Sequence, residues 1–146
     1  MRAARWNRSS TVRLLADLGA DVHARDGPRR TALILAAMDE HADAVSALIA
    51  CGAGINDACA KGETALHHAA RAGNEKIVRS LLQSGANSRL RDSNGRTPWI
   101  TAFHARKDHT LAHLLAPKTV EQEKLKILQA EGNPSDIADY MNAIYQ

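Results

Sequence analysis

Aromatic side chains are nearly missing from this chain: Phe, Tyr and Trp make up 3% of its 146 residues, although apolar residues reach 45%. A globule of this size usually buries more rings. A core drawn from Ala, Leu, Val and Ile points instead to slender, closely packed helices. Cysteine is scarce as well. Cys51 and Cys59 do not make a disulfide framework, which favours a reducing compartment, the cytoplasm or else the nucleus, over a secreted scaffold. No apolar run approaches the ~18–20 residues that cross a bilayer. Charge is not strongly one-sided either, and a net +3 is weak evidence for an anionic partner. The segment from Met1 to Leu15 does lack acids and carries Arg2, Arg5, Arg8 and Arg13, a composition shared with mitochondrial transit peptides. The alignment below accounts for the same residues as part of a repeat, and that reading is preferred.

What the chain does have is self-similarity. Gly19-Ala20, Gly52-Ala53 and Gly85-Ala86 recur at a spacing of 33 residues. Thr31-Ala32-Leu33, Thr64-Ala65-Leu66 and Thr97-Pro98-Trp99 keep that spacing, as do Val12, Val45, Val78 and Leu111, and Leu15, Leu48, Leu81 and Leu114. Each threonine stands where a helix N-cap belongs, its hydroxyl accepting from an orphan backbone N–H. Pro98 follows its threonine at the first helical position, where its missing donor costs nothing. The clearest copy predicts a helix over Thr64 to Ala72 with a small inner face, Ala69 and Ala70. Gly73 breaks it. A second helix is expected from about Asn74 to Ser84, with Ile77, Val78, Leu81 and Leu82 on one stripe. Gly85 ends it in the left-handed region, and Asp92-Ser93-Asn94-Gly95 is a turn. No such unit buries its own apolar face, so the units must stack, with the column Leu15, Leu48, Leu81 and Leu114 facing inward.

The segment "GETALHHAARAGNEKIVRSLLQSGANSRLRDSNGRTP", Gly62 to Pro98, resembles the ankyrin repeat over its whole length. The resemblance implies an all-α solenoid of stacked helix-turn-helix units with β-hairpin fingers. It covers residues 1–116: a partial first repeat over 1–25, then 26–58, 59–91 and 92–116. It also implies that His67, at the histidine of the family's Thr-Pro-Leu-His motif, ties neighbouring turns together. The copies depart from the pattern in places. The histidine column reads Ile34, His67, Ile100. The helix-breaking glycine column reads Asn7, Glu40, Gly73, Arg106, and left-handed geometry at Glu40 and Arg106 costs about 1 kcal/mol each. Arg29 replaces the turn glycine of Gly62 and Gly95, so an altered finger tip is expected there. Phe103, in an otherwise alanine column, suggests an imperfectly stacked last repeat.

Beyond Pro117 the spacing changes. Leu125 to Asn133 aligns with Leu66 to Asn74 at an offset of 59. Residues 117–146 are expected to form a degenerate capping helix pair that lacks a finger, with Thr119 and Gln122 as a capping box. A free amphipathic tail that docks on a partner is the competing reading.

No catalytic residue, cofactor site or metal site is predicted, and the chain is not expected to be an enzyme. His109 and His113 fall on the solvated side of a helix, and two exposed ligands do not complete a zinc site. Cys59 with His67 as a base lacks an orienting group and an oxyanion apparatus. The binding reading has more support. In ankyrin repeats partner contacts come from the fingers and the ends of the first helices. Those columns here contain Trp6, Arg25, Arg30, Met38, Lys61, Arg71, Arg91, Arg96 and His104 as the expected partner-binding residues. Across the full set of such columns, basic residues exceed acidic ones, so positive charge is concentrated on this face. The expected partner is an acidic protein segment gripped by arginine forks, with Trp6 and Met38 as apolar anchors. In the competing reading the arginines pair with Asp26 and Asp92 on a merely solvated face. A nucleic-acid or acidic-lipid surface is a second candidate partner, disfavoured because Trp6 is the face's one aromatic. A docking part of a larger enzyme is a third. A monomer is expected. Reversing Arg30 and Arg96 to Glu is expected to leave the fold intact.

Overall fold

The computed structural model describes residues 1–105, 111, 114 and 115. The chain divides into two units, Met1–Leu115 and Ala116–Gln146, and everything described here lies in the first. The expected capping pair over residues 117–146, with Thr119 and Gln122, falls outside the described residues, as do Arg106, His109 and His113.

Seven helices are described: α1 (Arg2–Arg5), α2 (Ser9–Asp17), α3 (Ala32–Met38), α4 (Ala42–Ala50), α5 (Ala65–Ala72), α6 (Glu75–Gln83) and α7 (Pro98–His104). Their boundaries follow the caps. Thr31 and Thr97 accept from the backbone N–H of Ile34 and Ile100, each at 3.4 Å. Thr64 forms a capping box with His67 in place of the usual acid. Asn74 starts α6 by accepting from Ile77 N–H at 3.2 Å. Gly73 ends α5 at φ +76°, where a Cβ would be strained.

The first helices pack side by side in the order α1, α3, α5, α7, and the second helices in the order α2, α4, α6. Alanine permits this close approach: Ala36, Ala37, Ala69, Ala70 and Ala102 are wholly buried. The second layer contributes Val45, Leu48, Ile77, Val78 and Leu81 to the same core. The inward column holds at Leu48 and Leu81 and fails at Leu15, which is 42% exposed beside exposed Leu14 and Leu18. Among the described residues α2 packs against α1 and α4, and those contacts leave this side of α2 uncovered. Phe103 is half-buried and stacks on Trp99, with ring centroids 5.9 Å apart.

Among the described residues, the turns that follow α1, α3 and α5 have one shape whatever residue occupies them. Asn7 (φ +51°) and Glu40 (φ +59°) take the same left-handed conformation as Gly73. Each reaches into the next repeat. Asn7 Oδ1 accepts from Ala44 N–H at 3.2 Å, and Glu40 Oε2 accepts from Asn74 Nδ2 at 3.4 Å. Those bonds offset part of the backbone strain.

The fingers between repeats also share one geometry, which corrects the expectation of an altered tip at Arg29. Arg29 stands at φ +62°. Its N–H donates to Asp26 O at 2.8 Å, as Gly62 N–H does to Cys59 O and Gly95 N–H to Asp92 O, both at 2.9 Å. The implied β-hairpins are short. Among the described residues one antiparallel bridge is present, Ala58 to Thr64.

Candidate functional site

Consecutive fingers are joined through their backbones. Ala60 N–H donates to Pro28 O and Ser93 N–H to Lys61 O, both at 2.9 Å. These bonds place equivalent columns of the three fingers along one edge. His67 adds a side-chain tie. Its Nδ1 accepts from Thr64 N–H at 3.2 Å, so the ring proton sits on Nε2 and is donated to Arg96 O at 3.0 Å. Burial pushes the imidazole below the ordinary histidine pKa, and the bond to Arg96 only partly opposes this. Ile34 and Ile100 offer no such tie, so the family bond is present at this one copy among the described first helices.

The structure places the expected partner-binding residues in two rows. Met38, Arg71 and His104 end α3, α5 and α7 and are exposed. Trp6 caps the end of α1 and is 74% exposed. Arg25, Arg30, Lys61, Arg91 and Arg96 lie on the joined fingers.

The arginines do not stand alone. Arg30 and Asp26 pair at 2.7 Å, and Arg96 and Asp92 at 2.9 Å. In each case the same carboxylate also accepts from the arginine's own backbone N–H. Arg25 bonds Asp57 at 3.0 Å and Ala58 O at 2.8 Å. Arg91 donates to Gly95 O at 2.7 Å, and Arg71 pairs with Glu63. Each of these arginines is therefore also part of the scaffold. The Arg30 guanidinium holds the Asp26 carboxyl below the usual carboxylate range. At Asp92 burial pushes the pKa up, but the backbone and side-chain N–H groups of Arg96 outweigh it and the net shift is downward.

The middle finger breaks the pattern. The Asp–Arg columns read Asp26–Arg30, Cys59–Glu63 and Asp92–Arg96. Glu63 therefore stands between Arg30 and Arg96 in the arginine column, buried, and turns to Arg71. Its carboxyl is raised by burial, but the hydrogen bond and charge of Arg71 outweigh this and the net shift is downward, so it stays charged. His68 is buried beside it, with Nε2 3.5 Å from Glu63 Oε2. Burial pushes His68 down to about 4. The ring is neutral near neutral pH, and its contact with Glu63 is not an ion pair. The Cys59–Glu63–His68 group was not singled out from sequence. Its signal was the replacement of Asp and Arg in two columns at once.

Comparison with known proteins gives a consistent picture. The family model described as ankyrin repeats (3 copies) matches residues 1–92. The mitochondrial disaggregase of Bos taurus is 32% identical over 167 aligned residues, which cover 90% of this chain and 24% of that protein. The inactive serine/threonine-protein kinase TEX14 of Mus musculus is 37% identical over 92 residues, 63% of this chain and 6% of that protein. The ankyrin repeat and SOCS box protein 11 of Danio rerio is 33% identical over 114 residues, 77% of this chain and 37% of that protein. The chain thus spans well under half the length of these relatives. No helix among the described residues is long and apolar enough to cross a membrane.

Proposed function

As this chain belongs to the ankyrin-repeat family, whose repeats generally mediate protein–protein interaction, we propose that it is a non-catalytic docking module. Its docking surface is the finger edge together with the ends of the first helices, and its partner is an acidic protein segment. The observation that carries this reading is the backbone joining of the fingers, Ala60 to Pro28 and Ser93 to Lys61. It aligns Arg25, Arg30, Lys61, Arg91 and Arg96 on one rigid edge, so little ordering entropy opposes binding. The internal partners of the arginines lower what an acidic ligand gains from each. Lys61, exposed and outside these internal bonds, then contributes most to the contact, with Met38 and Trp6 as apolar anchors. Two unpaired thiols, Cys51 and Cys59, fit a cytoplasmic or nuclear setting.

The test is a binding titration of the full chain with a glutamate-rich peptide and with the same peptide carrying glutamine for glutamate. The acidic peptide binds and the amide peptide does not, and Lys61→Glu with Arg91→Glu abolishes the difference. Unchanged affinity in that folded double variant would refute the surface. A single-stranded oligonucleotide that binds more tightly, with a steep log-linear salt dependence, would favour the nucleic-acid reading instead.

A second reading rests on one observation. The likeness to the mitochondrial disaggregase runs through 90% of this chain but 24% of that protein. On this reading the repeats are the docking part of a larger enzyme, and the surface is the same.

A further inference from the structure

The middle finger differs from its neighbours in chemistry while keeping their shape. In the first and third fingers a carboxylate and a guanidinium close the two feet of the turn. In the middle finger the feet carry Cys59 and Glu63, and only the backbone bond common to all three fingers remains, from Cys59 N–H to Glu63 O at 2.9 Å, as from Asp26 N–H to Arg30 O and from Asp92 N–H to Arg96 O. A thiol and a carboxylate do not form an ion pair with each other. Behind them α5 presents His68, 8% exposed, whose Nε2 has no hydrogen-bond partner. An unpartnered, buried ring nitrogen costs stability unless something fills the position it faces. Cys59 Sγ, a Glu63 carboxylate oxygen and a His68 ring nitrogen all lie within 4.8 Å of one another.

The geometry points to a divalent-metal site of the zinc type, formed by Cys59 Sγ, Glu63 Oε2 and His68 Nε2. A mixed sulfur, nitrogen and oxygen set is what zinc accepts. Ligand atoms around tetrahedral zinc are about 3.3–3.7 Å apart, so His68 Nε2 and Glu63 Oε2, 3.5 Å apart, already fit, and Cys59 Sγ has at most about 1 Å to close. Glu63 is already oriented for this. Its Oε1 is held by Arg71, which leaves Oε2 facing His68. Thiolate and carboxylate together neutralise the dication. Cys59 is half-buried on the finger, so the fourth position opens to water. Binding releases one proton, because the Cys59 S–H bond breaks as the S–Zn bond forms. Metal coordination at His68 Nε2 puts the ring proton on Nδ1. Arg71 Nη1, now 3.5 Å from Nδ1, must then move back from the ring while Nη2 keeps Glu63 Oε1, which its partly exposed side chain allows. The metal would link the finger to α5 where the neighbouring fingers use an Asp–Arg pair. It would also stiffen the edge that carries Lys61.

Zinc and cobalt chloride added separately to the reduced full chain test the site. Zinc raises the melting temperature, and the rise grows with the logarithm of free zinc above the dissociation constant. Cobalt gives tetrahedral d–d bands together with a near-ultraviolet thiolate-to-cobalt charge-transfer band at one equivalent. Cys51→Ser keeps that band. Cys59→Ser loses it and weakens zinc binding at least tenfold. Because Cys59 is not in the sealed core, Cys59→Ser melts like the metal-free parent. Cys59→Asp, which places the neighbouring fingers' residue there, serves as a second folded variant and also lacks the band. Metal binding equal in Cys59→Ser and parent, or cobalt bound without a thiolate band, would overturn the assignment.

Discussion

The His67 ring donates from Nε2 to the carbonyl of Arg96 at 3.0 Å while its Nδ1 accepts from Thr64 N–H at 3.2 Å. One side chain therefore fixes the start of its own helix and the finger of the following repeat. Ile34 and Ile100 offer no ring nitrogen for such bonds.

His67→Ala removes both bonds and leaves Thr64 N–H to find another partner in a buried setting, while Arg96 O keeps the bond from Asp92 N–H. A loss of about 1–3 kcal/mol is expected from such an unsatisfied group. Chemical denaturation measures it, and amide hydrogen exchange should show the loss concentrated at the finger around Asp92 to Arg96. A variant as stable as the parent would mean that the ring merely fills space.

Leu81 is fully buried in α6. Leu81→Ala is expected to cost roughly 2–5 kcal/mol through lost burial and the cavity left behind. Leu15→Ala, at a largely exposed position of the same column, should cost well under half as much. Equal losses in urea melts would show that Leu15 is covered in solution.

Charge reversal at Arg30 and Arg96 should destabilise the chain, contrary to what their columns alone suggest. Arg30→Glu sets a carboxylate against Asp26, where the ion pair now spans 2.7 Å, and Arg96→Glu does the same at Asp92. The double variant should melt below the parent, and the difference should shrink in high salt. Lys61→Glu has no such partner carboxylate in its finger and should leave the melting temperature within a degree or two, consistent with surface substitutions of about ±0.5 kcal/mol. A rise in melting temperature for the double variant would restore the view that these arginines repel one another.

Acid should loosen the fingers. Asp26 and Asp92 both titrate below the ordinary aspartate value when folded. Their contribution is fully present above the unfolded pKa, about 3.9, and is lost as pH falls through the lower folded values. Melting temperature plotted against pH should therefore decline below about pH 4. Asp92→Asn should flatten the part of that decline due to Asp92. An unchanged acid slope in that variant would show that the Asp92–Arg96 pair does not carry it.

Much of the fold could be read from residue order because its signals are local. Thr31, Thr64 and Thr97 start helices since a hydroxyl caps the N–H groups three residues ahead. Gly73 and Gly85 end them since only a left-handed residue turns the chain there. The alanine columns foretold close packing because a one-carbon side chain lets neighbouring helices approach. The tertiary structure decided matters that depend on two partners at once. Arg29 could adopt the glycine turn because Asp26 accepts from the next N–H and holds Arg30. The arginine columns became scaffold ion pairs because each carboxylate lay within reach of a guanidinium and of its backbone N–H together. Leu15 shares its column with Leu81 yet stays exposed, since burial is set by what packs against a helix and not by its own stripe. Cys59 and Glu63 meet His68 only because the finger folds back over α5, and direction in space is not written in a spacing of residues.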